Sequence, residues 1–392
     1  MRIGIPREIA PGERRVALTP DMVARLTKGG HSVTVQSGAG DAAGFPDAAY
    51  SVAGATMQAE TAALYAGAEA VLKVHRPSRG ENGAANEAAL LQSGSVLISF
   101  LRPGNDKPLL EQLAARGVTA FSMELVPRIS RAQSMDALSS QATVAGYKAV
   151  LVAADALPKF FPMLMTAAGT IRPATVLVIG AGVAGLQAIA TARRLGAVVE
   201  SFDTRPAVRE QVQSLGAKFV SLDLETHDAE DAGGYAKALS EDHLQREQAL
   251  IAKHVASADV VITTAQIPGR PAPRLITRAM VAAMRPGSVI VDLAAESGGN
   301  CEASQPGQTI TADGVTVIAP LNLPSELALH ASQMYARNVT ALLELLAPKG
   351  TLNVDMTDEI IRGACVTHGG RVLYPPAPAA TVAAPAAAGA PR

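Results

Sequence analysis

Short apolar runs, rich in Val, Ile and Leu, recur along the chain at residues 3–5, 32–36, 70–74, 96–100, 118–122, 176–179, 198–202, 260–263, 289–293 and 315–318. Most are nearly continuous in apolar character, the mark of strands buried on both faces rather than on one. Helix-length segments separate them, so the pattern predicts βαβ units and an α/β fold built on parallel sheets. The helix candidates carry recognisable ends. Thr19-Pro20-Asp21 opens the run at 22–28 and Gly29-Gly30 closes it, with proline in the first turn, where its missing N–H costs nothing.

One junction changes the picture. The strand at 176–179 runs straight into Gly180-Ala181-Gly182-Val183-Ala184-Gly185, a helix-favouring run follows at 187–195, and a second strand then delivers Asp203. A bound dinucleotide needs each part. Gly180 permits the tight turn, Gly182 lets the backbone approach a pyrophosphate, and Gly185 allows close helix–strand packing. The helix entered at Val183 offers free N–H groups and a partial positive charge to the phosphates. Asp203, followed by Thr204, is placed to accept from the adenosine ribose hydroxyls and to repel a 2′-phosphate, which favours NAD(H). Arg205 can meet a 2′-phosphate, and leaves the phosphorylated dinucleotide open.

At 392 residues the chain has the length for two domains and a tail. The fingerprint lies mid-chain, so the expected architecture is two Rossmann-like domains with parallel sheets. The nucleotide domain, 137–310, is inserted into a discontinuous first domain, 1–136 and 311–374, with a cleft between them. Helical runs at 134–154 and 327–346 are candidate bridges, and the cleft is the expected site. Residues 375–392, almost wholly Pro, Ala, Gly and Val, read as a disordered tail.

Composition adds exclusions. Aromatics are 3% with no Trp, so the core must be aliphatic. A formal net charge of −1 with interspersed signs argues against nucleic acid or an anionic membrane as partner. Cys301 and Cys365 lack metal-ligand spacing, so no metal is expected and the thiols are read as reduced. The greasiest stretch, 149–171, is broken by Asp155, Pro158, Lys159 and Pro162; with no signal peptide visible, the chain is expected to be soluble.

The segment at 123–141 is unusually polar beside an apolar helix. Ser130 reads as an N-cap, and on a helix Gln133, Asp136 and Ser140 would share one face, with Arg128, Ile129 and Arg131 at its entry and Ser139 within it. Such groups suit a ribose and a carboxamide; a well-capped surface helix is the alternative. The acidic stretch ending in Gly233-Gly234-Tyr235 reads either as a lid or as a solvated insertion. Thr263-Thr264-Ala265-Gln266 follows a strand whose carboxyl end should face the cofactor, and Asp292 to Asn300 follows the next. Arg15, Lys73, His75 and Arg76 are the candidate basic group for a carboxylate.

On these residues the chain resembles the soluble NAD(H)-binding alpha components of Si-specific, proton-translocating nicotinamide nucleotide transhydrogenases, of the type in which that component is a separate chain. The match is carried by Pro11-Gly-Glu-Arg-Arg-Val-Ala-Leu, by the run from Met123 to Asp136, by Gly180 to Leu186, by Ala232-Gly-Gly-Tyr-Ala-Lys and by Gly298-Gly-Asn-Cys301. The resemblance implies that Arg128, Gln133, Asp136 and Ser139 sit against the nicotinamide, that Asp203 holds the ribose, and that the loop bearing Gly234 and Tyr235 closes over the nucleotide. It also implies a homodimer that docks an NADP(H)-binding component, with membrane-spanning chains moving the protons. Alanine dehydrogenase shares the fold family and is the alternative. Its substrate-site Arg and Lys are matched by Arg15 and Lys73, but its His and Asp positions hold Arg102 and Glu296. Amino-acid oxidation needs a base near pH 7, which an arginine cannot supply. Hydride exchange between two nicotinamides needs none. A nucleotide-sensing module without hydride transfer is a third reading.

Overall fold

The structure, a computed structural model, describes residues 1–221, 241–266 and 271–375. Six strands come first: β1 (Arg2–Ile5), β2 (Ser32–Gln36), β3 (Thr56–Gln58), β4 (Ala70–Leu72), β5 (Val96–Ser99) and β6 (Thr119–Ser122). A hairpin, β7 (Leu164–Thr166) and β8 (Gly169–Ile171), precedes β9 (Thr175–Ile179), β10 (Val198–Phe202), β11 (Lys218–Val220), β12 (Val260–Thr263), β13 (Val289–Asp292), β14 (Thr309–Ala312) and β15 (Val315–Ile318). Last come β16 (Cys365–His368) and β17 (Arg371–Val372).

They form two large sheets, ordered β17-β16-β6-β5-β4-β1-β2-β3 and β11-β10-β9-β12-β13-β15-β14. Both are parallel in their interiors, as the continuous apolar runs require, because helices cover both faces. Antiparallel pairing is confined to the edges, where β16 meets β6 and β17, and β14 meets β15. The fold is therefore α/β with mixed, parallel-rich sheets in two domains. The second sheet extends through Ile318, since β15 pairs with β13, so a division after residue 310 would cut through β14. All but the first residue of the expected tail, 376–392, lies outside the described residues.

Two long helices join the domains. Ala137–Ala156 begins at Asp136, whose carboxylate accepts from the Ser139 N–H at 2.9 Å and so satisfies one orphan donor of the first turn. Ala328–Leu346 buries Tyr335, Val339, Leu342, Leu343 and Leu346 completely, and the Tyr335 hydroxyl donates to the Lys73 carbonyl at 2.7 Å. The helices are tied together: Gln141 Nε2 donates to Ala331 O at 3.1 Å, and Asn338 Nδ2 to Ser134 O at 2.8 Å. The core is mostly Ala, Val, Leu and Ile in both domains.

The Ala137–Ala156 helix also lies hard against the Val183–Arg194 helix, which the glycine turn opens. A Cβ on Gly146 would stand 2.1 Å from the Ala184 carbonyl oxygen, which is backbone and cannot step aside. Gly146→Ala is expected to lower the urea midpoint by an amount equivalent to about 1–3 kcal/mol, the range for overpacking. Gly67→Ala, where the added methyl meets nothing within 4 Å, is the control and should leave the midpoint nearly unchanged.

Candidate functional site

Each sheet has a point where the strand order reverses, between β1 and β4 in the first and between β9 and β12 in the second. Ligands of doubly wound folds enter the crevice at the carboxyl ends of such strands. In the first domain that crevice is filled from within. Lys73, fully buried just past β4, lies 3.3 Å from Glu8 and 2.8 Å from Glu87, and the Tyr65 hydroxyl donates to Glu87 at 3.0 Å. Burial works against the Lys73 charge, but the two carboxylates outweigh it and raise its pKa. Burial also pushes the Glu8 carboxyl up, against the attraction of Lys73. Arg15 and His75 both bind Glu13, at 2.7 and 2.8 Å. Burial opposes ionisation of Glu13, yet hydrogen bonds from Arg15 and His75 hold it well below the usual carboxylate range. Arg76 pairs with Asp106. Every member of the candidate basic group therefore already has a carboxylate of this chain.

The second crevice is open. Gly180 adopts φ +99°, and a Cβ there would come within 2.6 Å of the Thr264 hydroxyl. At Gly185 the Cβ would lie 1.8 Å from the Gly180 carbonyl oxygen, so only glycine lets the helix pack this closely. Gly182 differs: a Cβ there would meet nothing within 4 Å. Packing leaves that position free, and the space faces the helix N-terminus at Val183, itself 41% exposed.

Asp203, at the carboxyl end of β10, is expected to bond a ribose. Its Oδ2 accepts from Ala181 N at 2.7 Å, and Arg205 donates to both oxygens from N, Nε and Nη2, each at 2.9 Å. A carboxylate offers about four acceptor sites, so a ribose hydroxyl must displace part of the Arg205 fork. Arg205 also neutralises the charge that would repel a 2′-phosphate. Thr204 lies half-buried between them.

The residues expected at the nicotinamide end come together. Arg128, Ile129, Gln133, Asp136 and Ser139 line one hollow of about 360 Å³. The local structure is not one helix, however. Ser130–Met135 is a 3-10 turn whose N-cap is Ile129, and the α-helix starts only after Asp136. Ser130 makes no capping bond, and Gln133, Asp136 and Ser140 do not share a helical face. Arg128 and Gln133 are exposed, whereas Asp136 is held by Ser139 N and Oγ at 2.9 and 2.6 Å.

Past β12, Ala265 does not offer its backbone freely. Asn300 Oδ1 accepts from Ala265 N at 3.1 Å and Asn300 Nδ2 donates to Ala265 O at 2.9 Å. Gln266 Nε2 donates to Leu293 O at 2.9 Å. Asp292 is fully buried and accepts from Thr263 Oγ1, Ala294 N, Cys301 N and Ser304 Oγ. It organises the loops rather than facing a ligand. In the sequence Asn300 stands out only as a member of a loop motif, and nothing in its spacing announces a tie to Ala265. Gly234 and Tyr235 lie outside the described residues. Among the described residues no group of His, Cys, Asp or Glu is placed to hold a metal ion, and no helix is long and apolar enough to cross a membrane.

A glycine-walled crevice at the order reversal of a doubly wound sheet, opening on an interdomain cleft, defines the dinucleotide-binding class of α/β protein. The chain belongs to the alanine dehydrogenase/PNT family, matching the model of its N-terminal domain over residues 4–145 and of its C-terminal domain over residues 149–375. It is 48% identical over 381 residues to an NAD(P) transhydrogenase subunit alpha chain of Rhodospirillum rubrum, covering 96% of this chain and 98% of that protein. It is 33% identical to the alanine dehydrogenase of Halomonas elongata, with 95% of each covered. Among solved structures, a transhydrogenase from Sinorhizobium meliloti matches with a TM-score of 0.86 at 44% identity, covering 95% of this chain and all of that one. An L-alanine dehydrogenase matches with a TM-score of 0.80 at 29% identity, covering 96% and 97%.

Behind the site, Glu247 in the Glu241–Ser257 helix is 6% exposed. Burial, with the Asp203 charge beside it, pushes its carboxyl up to about 7. Between the ordinary value of 4.5 and 7 the folded state holds a proton that the unfolded chain releases, so this group costs stability as pH rises through that window. Glu247→Gln should therefore raise the denaturation midpoint at about pH 8, by on the order of 1–3 kcal/mol, and change little near about pH 4. A midpoint difference that does not grow between the two pH values would contradict this.

Proposed function

We propose that this chain is the NAD(H)-binding subunit of a proton-translocating NAD(P)+ transhydrogenase. It binds NADH with the pyrophosphate at Gly180–Val183, with Gly185 giving the helix its close approach, and with the adenosine ribose at Asp203, Thr204 and Arg205. The nicotinamide lies toward Arg128, Ile129, Gln133, Asp136 and Ser139. Hydride leaves C4 of the dihydronicotinamide with its electron pair and reaches C4 of NADP+ on a partner component; the donor becomes NAD+ and the acceptor NADPH. No proton moves in that step. The protein's work is to hold two rings about 3–3.5 Å apart and keep water out. Membrane-spanning partner chains would couple the exchange to proton movement.

The observation that carries this reading is the polar hollow at residues 127–139, whose lining holds donors and acceptors but no histidine, cysteine or lysine. The identity to a named transhydrogenase subunit supports it. Alanine dehydrogenase chemistry is disfavoured because Arg102 and Glu296, at the positions of its His and Asp, are ion-paired to each other. The decisive experiment mixes the chain with a cognate NADP(H)-binding component and follows hydride transfer by stopped flow. Gln133→Ala is expected to slow transfer at least about 10-fold while NADH affinity changes little, because misplacement of order 1 Å costs up to about 100-fold. An unchanged rate would remove Gln133 from the mechanism. NADH formation from alanine and NAD+ by the chain alone would overturn the reading.

The homodimer is proposed on a separate surface. Among the described residues the β7–β8 hairpin pairs only with itself, and a lone two-stranded ribbon is marginal in water. It nevertheless exposes Met165 at 79% and Ile171 at 39%, with Met163 nearby at 57%. A second copy of the chain would cover these side chains. Met165→Glu is expected to shift the sedimentation of the full chain from dimer toward monomer; a wild-type monomer, or a variant that stays dimeric, would count against the surface.

A further inference from the structure

Arg102 and Glu296 are mounted unusually firmly for partly exposed residues. Arg102 follows β5 in the first domain and has φ +50°, the left-handed region that long side chains seldom adopt. Glu124 holds it there, accepting from Leu101 N at 3.1 Å and from Arg102 N at 2.8 Å, while the Ser122 hydroxyl bonds the same carboxylate. The Arg102 carbonyl in turn accepts from Asn105 N at 2.9 Å. Across the cleft, Glu296 sits in the turn Ala295–Ser297 after β13, closed by Gly298 at φ +106°. The buried Asp292 pins the start of that loop through Ala294 N and its end through Cys301 N. The guanidinium of one domain meets the carboxylate of the other.

A backbone forced into an unfavourable region is kept only where the surroundings over-determine it. Here the surroundings aim one cation across a cleft at one anion, far along the chain from the bridging helices. We infer that Arg102 and Glu296 form a clasp that limits how far the two domains part, and so paces nucleotide exchange. Arg102 is on this view a positioning residue, acting through domain spacing. The inference rests on the reading that the cleft holds NAD(H). The side chains are 49% and 32% exposed, so the clasp is a modest restraint, worth about a two- to five-fold change in rate, and salt weakens it.

The test is the NADH dissociation rate of the full chain, read by stopped-flow fluorescence. Arg102→Met and Glu296→Gln are each expected to speed release about two- to five-fold, and the double variant no more than either alone. Arg102→Lys should restore most of the restraint. Raising salt from about 50 mM to about 0.5 M should bring wild-type release toward that of the variants and move theirs less. Equal release rates in wild type and both single variants, or additive effects in the double, would overturn the clasp. Failure of the wild-type chain to bind NADH would instead overturn the cofactor reading. The clasp would then be judged by electron-spin distances between labels at Glu111 and Arg278, both exposed on opposite domains. Arg102→Met should broaden that distribution, and an unchanged one would also overturn the clasp.

Discussion

A charge removed from water must find its partner inside the protein, and in this chain that requirement decides which of two similar crevices can take a ligand. The first domain carries Lys73, Glu8 and Glu87 at the order reversal of its sheet, all buried and mutually paired. Glu13 similarly absorbs Arg15 and His75. Lys73, Arg15 and His75 could each recognise a small anion there only by giving up an internal pair. The first domain thereby becomes a scaffold. Its contribution to the proposed site is the segment at residues 127–139, which lines a hollow of its own.

The second domain solves the opposite problem of keeping space empty. Gly180 and Gly185 let a strand and a helix approach until no Cβ fits between them, and Gly182 then leaves unfilled the volume beyond. The surrounding loops cannot collapse into it, because Asp292 and Asn300 spend their polar atoms fixing the backbone after β12 and β13. What remains is a rigid rim of N–H groups at a helix start, suited to phosphate oxygens. Chemistry that moves a hydride between two rings asks for little more than such rigidity.

Much of this is legible along the chain. The interior strands show because burial on both faces leaves continuous Val, Ile and Leu. The strands without a clear signal, β3, β7, β8, β11, β14, β16 and β17, lie at or beside sheet edges or in the separate hairpin, short and in part exposed, where the apolar pattern fades. The segment around Gln133 is legible in chemistry but not in conformation. Gln133 and Asp136 have helical spacing, yet Asp136 turns its carboxylate to its own helix start and leaves a 3-10 turn before it. Asp203 is recognisable by its distance from the glycines, whereas the grip of Arg205 on both its oxygens depends on a local turn.

Local pattern by itself determined the α/β class, the nucleotide crevice and the position of its acid, because each depends on residues within one βαβ unit, where chain connectivity fixes neighbours. Tertiary structure alone decided which charges are spent and which stay available. Arg15 meets Gln141 and Asn322, and Arg102 meets Glu296, across separations of 126, 307 and 194 residues. No periodicity encodes such meetings; they exist only once two sheets and two bridging helices have set the cleft between them.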